Sequence, residues 1–244
     1  MKNIKDISIV ENTWRFDDDV ARIFDKHVEQ SIPHYKSLQK YLASIAEWYL
    51  KDNSLIYDLG CSTGTTAVKL SELAINTNFT LIGYDSNKQM IDLAKKKIKK
   101  IKKIKKIKAK FLFQKKNILK IKKFKKANLF YSVLLFPFLS LKDRGQLLNK
   151  ISKSLHEDGA LISVEKIRSN NSKFEDIFNQ LLSDHKIEKN LTHEEILKKA
   201  KSLRSSMHLF SETQTKKLLK DNGFKNFDIF FRCFNFIGYI ATKN

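Results

Sequence analysis

Residues 54–64, SLIYDLGCSTG, constrain the fold of this chain more than any other stretch. An apolar run, Leu55 to Tyr57, leads into Asp58. A turn then carries Gly60, Cys61, Ser62 and Gly64 before a helical pattern begins at Thr65. A strand that ends in an acid and opens through a glycine turn into a helix lets backbone N–H groups approach a ligand closely. Phosphate-binding loops share that layout, but no Lys follows the last glycine, as a P-loop requires. The Gly-x-x-x-Gly spacing also departs from the dinucleotide fingerprint.

A second element follows at a telling distance. Phe79–Asp85, FTLIGYD, reads as a buried strand that places Asp85 about 20 residues beyond the turn, where a carboxylate commonly binds ribose hydroxyls. Asp85 could instead cap the next helix, a job Ser86 could share. Together the two elements predict a nucleoside-bearing cofactor. Asp-x-Gly-x-x-x-Gly resembles the first motif of S-adenosylmethionine (SAM)-dependent methyltransferases, whose loop holds the amino-acid end of SAM.

The remaining pattern alternates between strand and helix. Residues 1–52 read as helical, with a break at Pro33, and could close over the cofactor as a lid. Strands are expected at 54–59, 79–84, 111–114, 127–135, 160–165, 227–231 and 234–241, with helices at 64–75, 87–98 and 143–155 and a helical insertion at about 168–222. The fold class is therefore α/β: a Rossmann-like, SAM-methyltransferase sheet of seven mostly parallel strands, helices on both faces, and a C-terminal antiparallel hairpin. No linker or composition shift divides residues 1–244, so one domain is expected.

Composition bounds the function classes. No apolar run approaches the ~18–20 residues that span a bilayer, and the N-terminus has no secretory core, so a cytoplasmic protein is expected. Cys61 and Cys233 lack metal-ligand spacing and the six His form no ligand pair, so neither metal nor disulfide is expected. The net charge of +21 admits a nucleic-acid partner, but lysine supplies 41 of the 47 basic residues. Arginine is the usual choice for two-pronged phosphate recognition, and an A/T-rich genome would favour Lys, Ile, Asn and Phe without selection for binding. The low-complexity run Lys95 to Lys108 repeats KKI-like triplets, and a period of three drifts off a helical face. It reads as a frayed helix end and solvated loop, so direct tRNA binding is not expected.

Several patches resemble the carboxy-S-adenosylmethionine synthases over nearly the whole chain. They are Trp14-x-Phe16-Asp17 with Val20-Ala21 and Phe24-Asp25; Ser31-Ile32-Pro33-x-Tyr35; Asp58 to Ser62; Met90-Ile91; Gly159-Ala160-Leu161 with Glu165-Lys166; and Cys233-Phe234-Asn235-Phe236. The resemblance implies a homodimeric transferase that converts SAM and prephenate to carboxy-SAM and phenylpyruvate, the product serving modification of the wobble uridine in certain tRNAs. Matched residue by residue, it places Tyr35, Gly60, Cys61, Ser62, Asp85, Ser86, Asn117 and Ile118 on cofactor-contact positions. Two positions depart from the family. Val133 stands where the family has Asn, and Ala200 stands where it has a carboxylate-binding Arg. Arg204, Lys199 and Lys201 are the nearest candidates to replace that cation, with Arg204 first because it lies one turn on. A methyltransferase of tRNA or a small molecule, or a SAM binder without catalysis, remains the alternative.

Overall fold

Apolar residues on both faces of the central strands require cover from two sides. The structure, a computed structural model, describes residues 18–204 and 206–244. The patch beginning at Trp14 lies largely outside the described residues. Strands β1 (Ser54–Leu59), β2 (Phe79–Asp85), β3 (Lys110–Lys115), β4 (Ala127–Val133) and β5 (Leu155–Lys166) pair in parallel. β6 (Asn226–Cys233) and β7 (Phe236–Thr242) form the expected antiparallel hairpin, and β7 pairs antiparallel with β5. The sheet order is β3-β2-β1-β4-β5-β7-β6.

Alternation along each strand sorts the core into two layers. Ile56, Leu129, Tyr131 and Ile162 face α1 (Asp18–Ser31), α2 (Tyr35–Glu47), α3 (Thr65–Leu70) and α4 (Lys88–Ile104). Tyr57, Leu59, Phe130 and Leu161 face the other way, onto α5 (Leu141–Ser154) and α8 (Glu212–Asp221). The expected break between the first two helices falls at Pro33, and His34 enters the left-handed region at φ 57°. The helical stretch after β5 resolves into α6 (Ser172–Glu188), α7 (His193–Leu203) and α8, each opened by a side-chain cap from Asn171, Thr192 or Ser211. No described helix is long and apolar enough to cross a membrane.

Four boundaries differ from expectation. The helix expected at 64–75 ends at Leu70 and gives way to a short 3-10 turn, Leu73–Ile75; Ser71 Oγ donates to Val68 O at 2.6 Å beside that break. α4 runs to Ile104 instead of fraying near residue 98. Ile98 is still buried and lysine is a good helix former, so the helix continues until the three-residue period turns Ile104 out to 74% exposure. β4 ends at Val133, because Leu134 takes φ 59° and donates its N–H to Val164 O. β5 begins at Leu155, directly after α5, five residues earlier than expected.

Beneath the second layer, Arg144 of α5 is fully buried. Its Nη1 lies 3.8 Å from Glu165 Oε2, its Nη2 donates to His208 O, and its guanidinium stacks 4.2 Å from the Phe210 ring centroid. Tyr239 donates to Glu165 Oε1 at 2.5 Å. Burial pushes the Glu165 carboxyl up, while the Tyr239 bond and Arg144 charge oppose that shift. The network ties the loop after α7 to the sheet. Replacing Arg144 by Met should destabilise the fold by about 3–5 kcal/mol, because it strips a buried carboxylate of its cation. Urea unfolding should show this loss, and the double change R144M with E165Q should recover much of it. An unmoved urea midpoint in R144M would refute the assignment.

Candidate active site

Open α/β sheets bind ligands beyond the carboxyl ends of their strands, and a cavity of about 700 Å³ lies there. The turn after β1 forms one wall. Gly60 adopts φ 70° and Ser62 φ 48°, a left-handed path that aims successive N–H groups inward. Gly60 N and Cys61 N both donate to Tyr84 O, at 2.8 and 3.0 Å. Ser62 N donates to Asp85 Oδ2, and Asn87 N to Asp85 Oδ1, each at 2.9 Å. Asp85 is therefore both a local brace and a wall of the cavity. Burial raises its pKa, and these backbone donors oppose the rise.

Asp58 sits deeper, at 2% exposure, and its Oδ2 has no hydrogen-bond partner among the described residues. Burial, reinforced by the charge of Asp85, pushes it up to about 7. A carboxylate placed in this way lacks a cation.

Helix α1 closes over the turn through Asp25. Its carboxylate accepts from Thr63 Oγ1 at 2.5 Å, from Thr65 Oγ1 at 3.1 Å and from Lys97 Nζ of α4 at 2.5 Å. Phe24, Val28 and Ile32 of the same helix line the cavity. Sequence reasoning quoted Asp25 only within a motif. The contact joins residues 38 and 72 positions apart, which no local pattern reveals.

The opposite side of the cavity is basic. Lys166 at the end of β5, Lys186 of α6 and Lys199 of α7 all line it. Lys199 Nζ lies 2.5 Å from His27 Nε2 and donates to Ser31 Oγ at 3.1 Å. Burial, then the charges of Lys186 and Lys166, lowers Lys199 to about 7. Burial, then Lys166, lowers Lys186 to about 8, and burial also lowers Lys166. His27 falls to about 3 through burial and then the charges of Lys199 and Lys186, so its ring is neutral at working pH. β4 lies between β1 and β5, so two strand spacings, about 10 Å, separate the acidic and basic strand ends.

The structure places Tyr35, Gly60, Cys61, Ser62, Asp85, Ser86, Asn117 and Ile118 around this one cavity. Burial raises the Tyr35 hydroxyl above its ordinary range. Asn117 Oδ1 accepts from Leu119 N at 2.9 Å and caps a short 3-10 turn, which leaves it one acceptor position. Val133, Ala200 and Arg204 also line the cavity, with Arg204 exposed at the end of α7. Lys201 is exposed and is not among the lining residues. Lys186 escaped sequence reasoning because nothing local distinguishes one lysine among 41.

Comparison with known proteins sets this geometry in a family. Residues 30–239 match the ubiE/COQ5 methyltransferase family. The carboxy-S-adenosyl-L-methionine synthase of Staphylococcus epidermidis is 32% identical over 94% of this chain and 97% of its own. That of Sulfurimonas denitrificans is also 32% identical, over 96% of each chain. The chain belongs to the carboxy-S-adenosyl-L-methionine synthase family. It is a transferase of the SAM-using class. Solved structures share the fold at lower identity. The PH0226 protein of Pyrococcus horikoshii OT3 has a TM-score of 0.62 at 15% identity, covering 93% of this chain and 99% of that one. Magnesium protoporphyrin IX methyltransferase of Synechocystis PCC 6803 has a TM-score of 0.57 at 13% identity, covering 96% and 90%.

Asp58 gives a pH prediction. Below about 7 its carboxyl is largely protonated in the empty cavity. A ligand ammonium beside it favours the ionised form, so binding should release a proton into solution. Calorimetry of SAM binding at a pH just below 7, in buffers of different ionisation enthalpy, should register a sizeable fraction of one proton released. Asp58→Asn should abolish that fraction. Buffer-independent heats in the parent would show that no cation reaches Asp58.

Proposed function

We propose that this chain makes carboxy-SAM from SAM and prephenate, with release of phenylpyruvate, and so supplies the donor for carboxymethylating wobble uridine in certain tRNAs. The observation that carries this reading is the cluster Lys166, Lys186 and Lys199, which faces the cavity across β4 from Asp58 and Asp85. Methyl transfer brings only the one carboxylate of SAM to the cavity, whereas this reaction adds the two of prephenate. SAM, when bound, supplies a sulfonium that makes its methyl C–H bonds acidic. In the overall reaction the ring of prephenate loses its carboxyl group from one carbon and its hydroxyl group from the opposite carbon, and so becomes aromatic. The carboxyl passes to the methyl carbon, and the displaced methyl proton leaves with the hydroxyl as water.

The residues present fit that ligand pair. Asp58 offers an unpartnered buried acceptor to the ammonium of SAM, and Asp85 offers its carboxylate to the ribose hydroxyls. Asn117 and Ile118 flank the adenine place, and Tyr35 closes the cavity from α2. Lys199, backed by Lys186 and Lys166, holds the carboxylates of substrate and product. Neutral His27 and Ser31 fix the Lys199 head group. Arg204 stands at the exposed rim and guides anions in. We read residues 1–244 as one domain, with a lid at about 1–52 and an insertion at about 168–222, acting in the cytoplasm as a homodimer. Phe174, Ile177 and Leu181 form an exposed apolar stripe on α6 that would suit a second copy. Ala200, in place of the family Arg, favours the second reading, a methyltransferase or a SAM binder without catalysis.

Native mass spectrometry of the purified protein tests the reading directly, with co-purified carboxy-SAM expected. Asp85→Ala should weaken both SAM and carboxy-SAM by about 1.5–3 kcal/mol, since it removes a charged acceptor, and calorimetry on the folded variant measures this. Lys199→Met, and more weakly Arg204→Met, should lower affinity for carboxy-SAM at least about tenfold more than for SAM. Lys201→Met, outside the cavity, should leave both unchanged. Carboxy-SAM affinity should also fall as pH rises through about 7 to 8, where Lys199 and Lys186 lose their protons. Parent-like binding of both ligands by every lysine and arginine variant would remove the carboxylate pocket and leave the methyltransferase reading.

A further inference from the structure

The net charge of this protein is not spread along it. Residues 93–126 hold 18 lysines and no arginine, aspartate or glutamate. The remaining 210 residues hold 29 basic and 26 acidic side chains and nearly balance. A codon bias acts on the whole chain and enriches lysine everywhere. It does not clear acids from one segment, so the segregation needs a local cause.

Twelve of the lysines lie at one edge of the sheet, on the second half of α4, the connection to β3 and β3 itself, the terminal strand; the other six lie on residues 116–126, which run under the opposite face of the sheet to β4. Seventeen of the 18 lysines are exposed; the other, Lys97, pairs with Asp25. Blunting a sheet edge against aggregation would account for Lys110 and Lys115 on β3, but the other sixteen lie off that strand. Like charges packed this closely repel one another and weaken the fold unless something neutralises them.

We propose that this edge docks the phosphate backbone of a double-helical nucleic acid. Lysine ammonium groups are point charges that suit phosphate oxygens and read no base pattern, and the absence of arginine fits binding without base readout. Single strands are a poorer fit, because they bind by stacking on exposed aromatics. The segment's aromatics are engaged inside: Phe113 and Phe124 are buried, and Phe111 packs edge-on against Phe79. An anionic membrane is a poorer fit too. A helix lying in a lipid surface must present an apolar face, but Ile91, Ala94 and Ile98 of α4 are spent against the sheet. Along α4, Lys95, Lys99 and Lys102 recur at about one per helical turn, roughly 5.4 Å apart.

The test measures binding of the full chain to a short RNA duplex, to a DNA duplex of the same sequence, and to vesicles of equal phosphatidylcholine and phosphatidylserine. Salt is varied between about 50 and 200 mM. One variant changes Lys95, Lys99, Lys102, Lys103, Lys106 and Lys110 to Gln. A control changes six exposed lysines elsewhere, Lys40, Lys153, Lys173, Lys216, Lys220 and Lys225, so that net charge falls equally. The proposal expects the parent to bind at least one duplex with a steep salt dependence. The edge variant should lose at least about tenfold in affinity and several units of salt slope, while the control stays close to the parent. Tighter binding of the RNA or the DNA arm identifies the source of the backbone. Equal losses in the two variants, preference for vesicles, or no duplex binding by the parent would each overturn the proposal. SAM binding should be parent-like in both variants, which separates this test from that of the catalytic reading.

Discussion

The junction between the turn after β1 and the end of β2 is the constraint on which the site depends. Tyr84 O accepts from both Gly60 N and Cys61 N, and the Asp85 carboxylate accepts from Ser62 N on the turn and Asn87 N at the cap of α4. Neighbouring parallel strands are thereby locked at their carboxyl ends, where the cavity opens. The left-handed path at Gly60 is a requirement of this junction. A Cβ there would sit 3.1 Å from the Leu135 side chain on a backbone that side chains rarely tolerate. Gly64 has a similar role one step on, because a Cβ would meet Ala94 at 2.9 Å and push α4 away. Without that approach Lys97 could not reach Asp25, and α1 would be fastened to the turn by the Thr63 and Thr65 hydroxyls alone.

The cavity that results is electrically divided. The strand order sends Asp58 and Asp85 to one side of β4 and Lys166 to the other, and α6 and α7 add Lys186 and Lys199 to the basic side. Desolvation acts on both sides in opposite senses. It raises the carboxyl groups and lowers the ammonium groups, so each side is partly discharged when no opposite charge is present. A ligand that is cationic at one end and anionic at the other restores charge to both. In an open cleft water would solvate these groups and the shifts would vanish. Here Phe24, Val28 and Ile32 of α1 cover it with apolar surface.

Much of this was legible in the residues, for physical reasons that can be named. The β1 turn and Asp85 were readable because a left-handed turn demands glycine and a ribose site commonly takes an acid at the next strand end. The central strands were readable because buried parallel strands are apolar runs. Boundaries went wrong where tertiary contacts override local pattern: Leu134 leaves β4 with a positive φ, and α4 outlasts its own periodicity because its first half is already anchored. The lid contact through Asp25 and the Arg144–Glu165–Tyr239 network join distant segments, so their members read as ordinary polar residues. Lys186 was hidden by abundance. Arg204 ranked first on helical position, reach and its planar fork, with Lys199 second, yet burial in the folded chain favours Lys199, which lies among two other cations and against His27.

Three lysines are not equivalent to the arginine they stand near. A guanidinium stays charged when buried and offers a planar fork, so a pocket built on it is a permanent cation. Lys199 and Lys186 are lowered to about 7 and about 8, first by burial and then by neighbouring lysines, Lys186 and Lys166 acting on Lys199 and Lys166 on Lys186. On the proposed reading an entering carboxylate reverses that lowering, and the pocket takes up protons as it binds. The empty cavity thus avoids much of the repulsion that three fixed cations would impose, and the filled one still holds an anion firmly. Directionality is what is lost, since separate ammonium groups impose no single plane on a carboxylate. The Lys199 contacts to His27 and Ser31 supply part of it by fixing one head group from behind. Loss of the family arginine at Ala200 is therefore compatible with a working carboxylate site, provided that His27 remains neutral. The charges that hold it neutral are those of the lysines themselves, acting on an already buried ring.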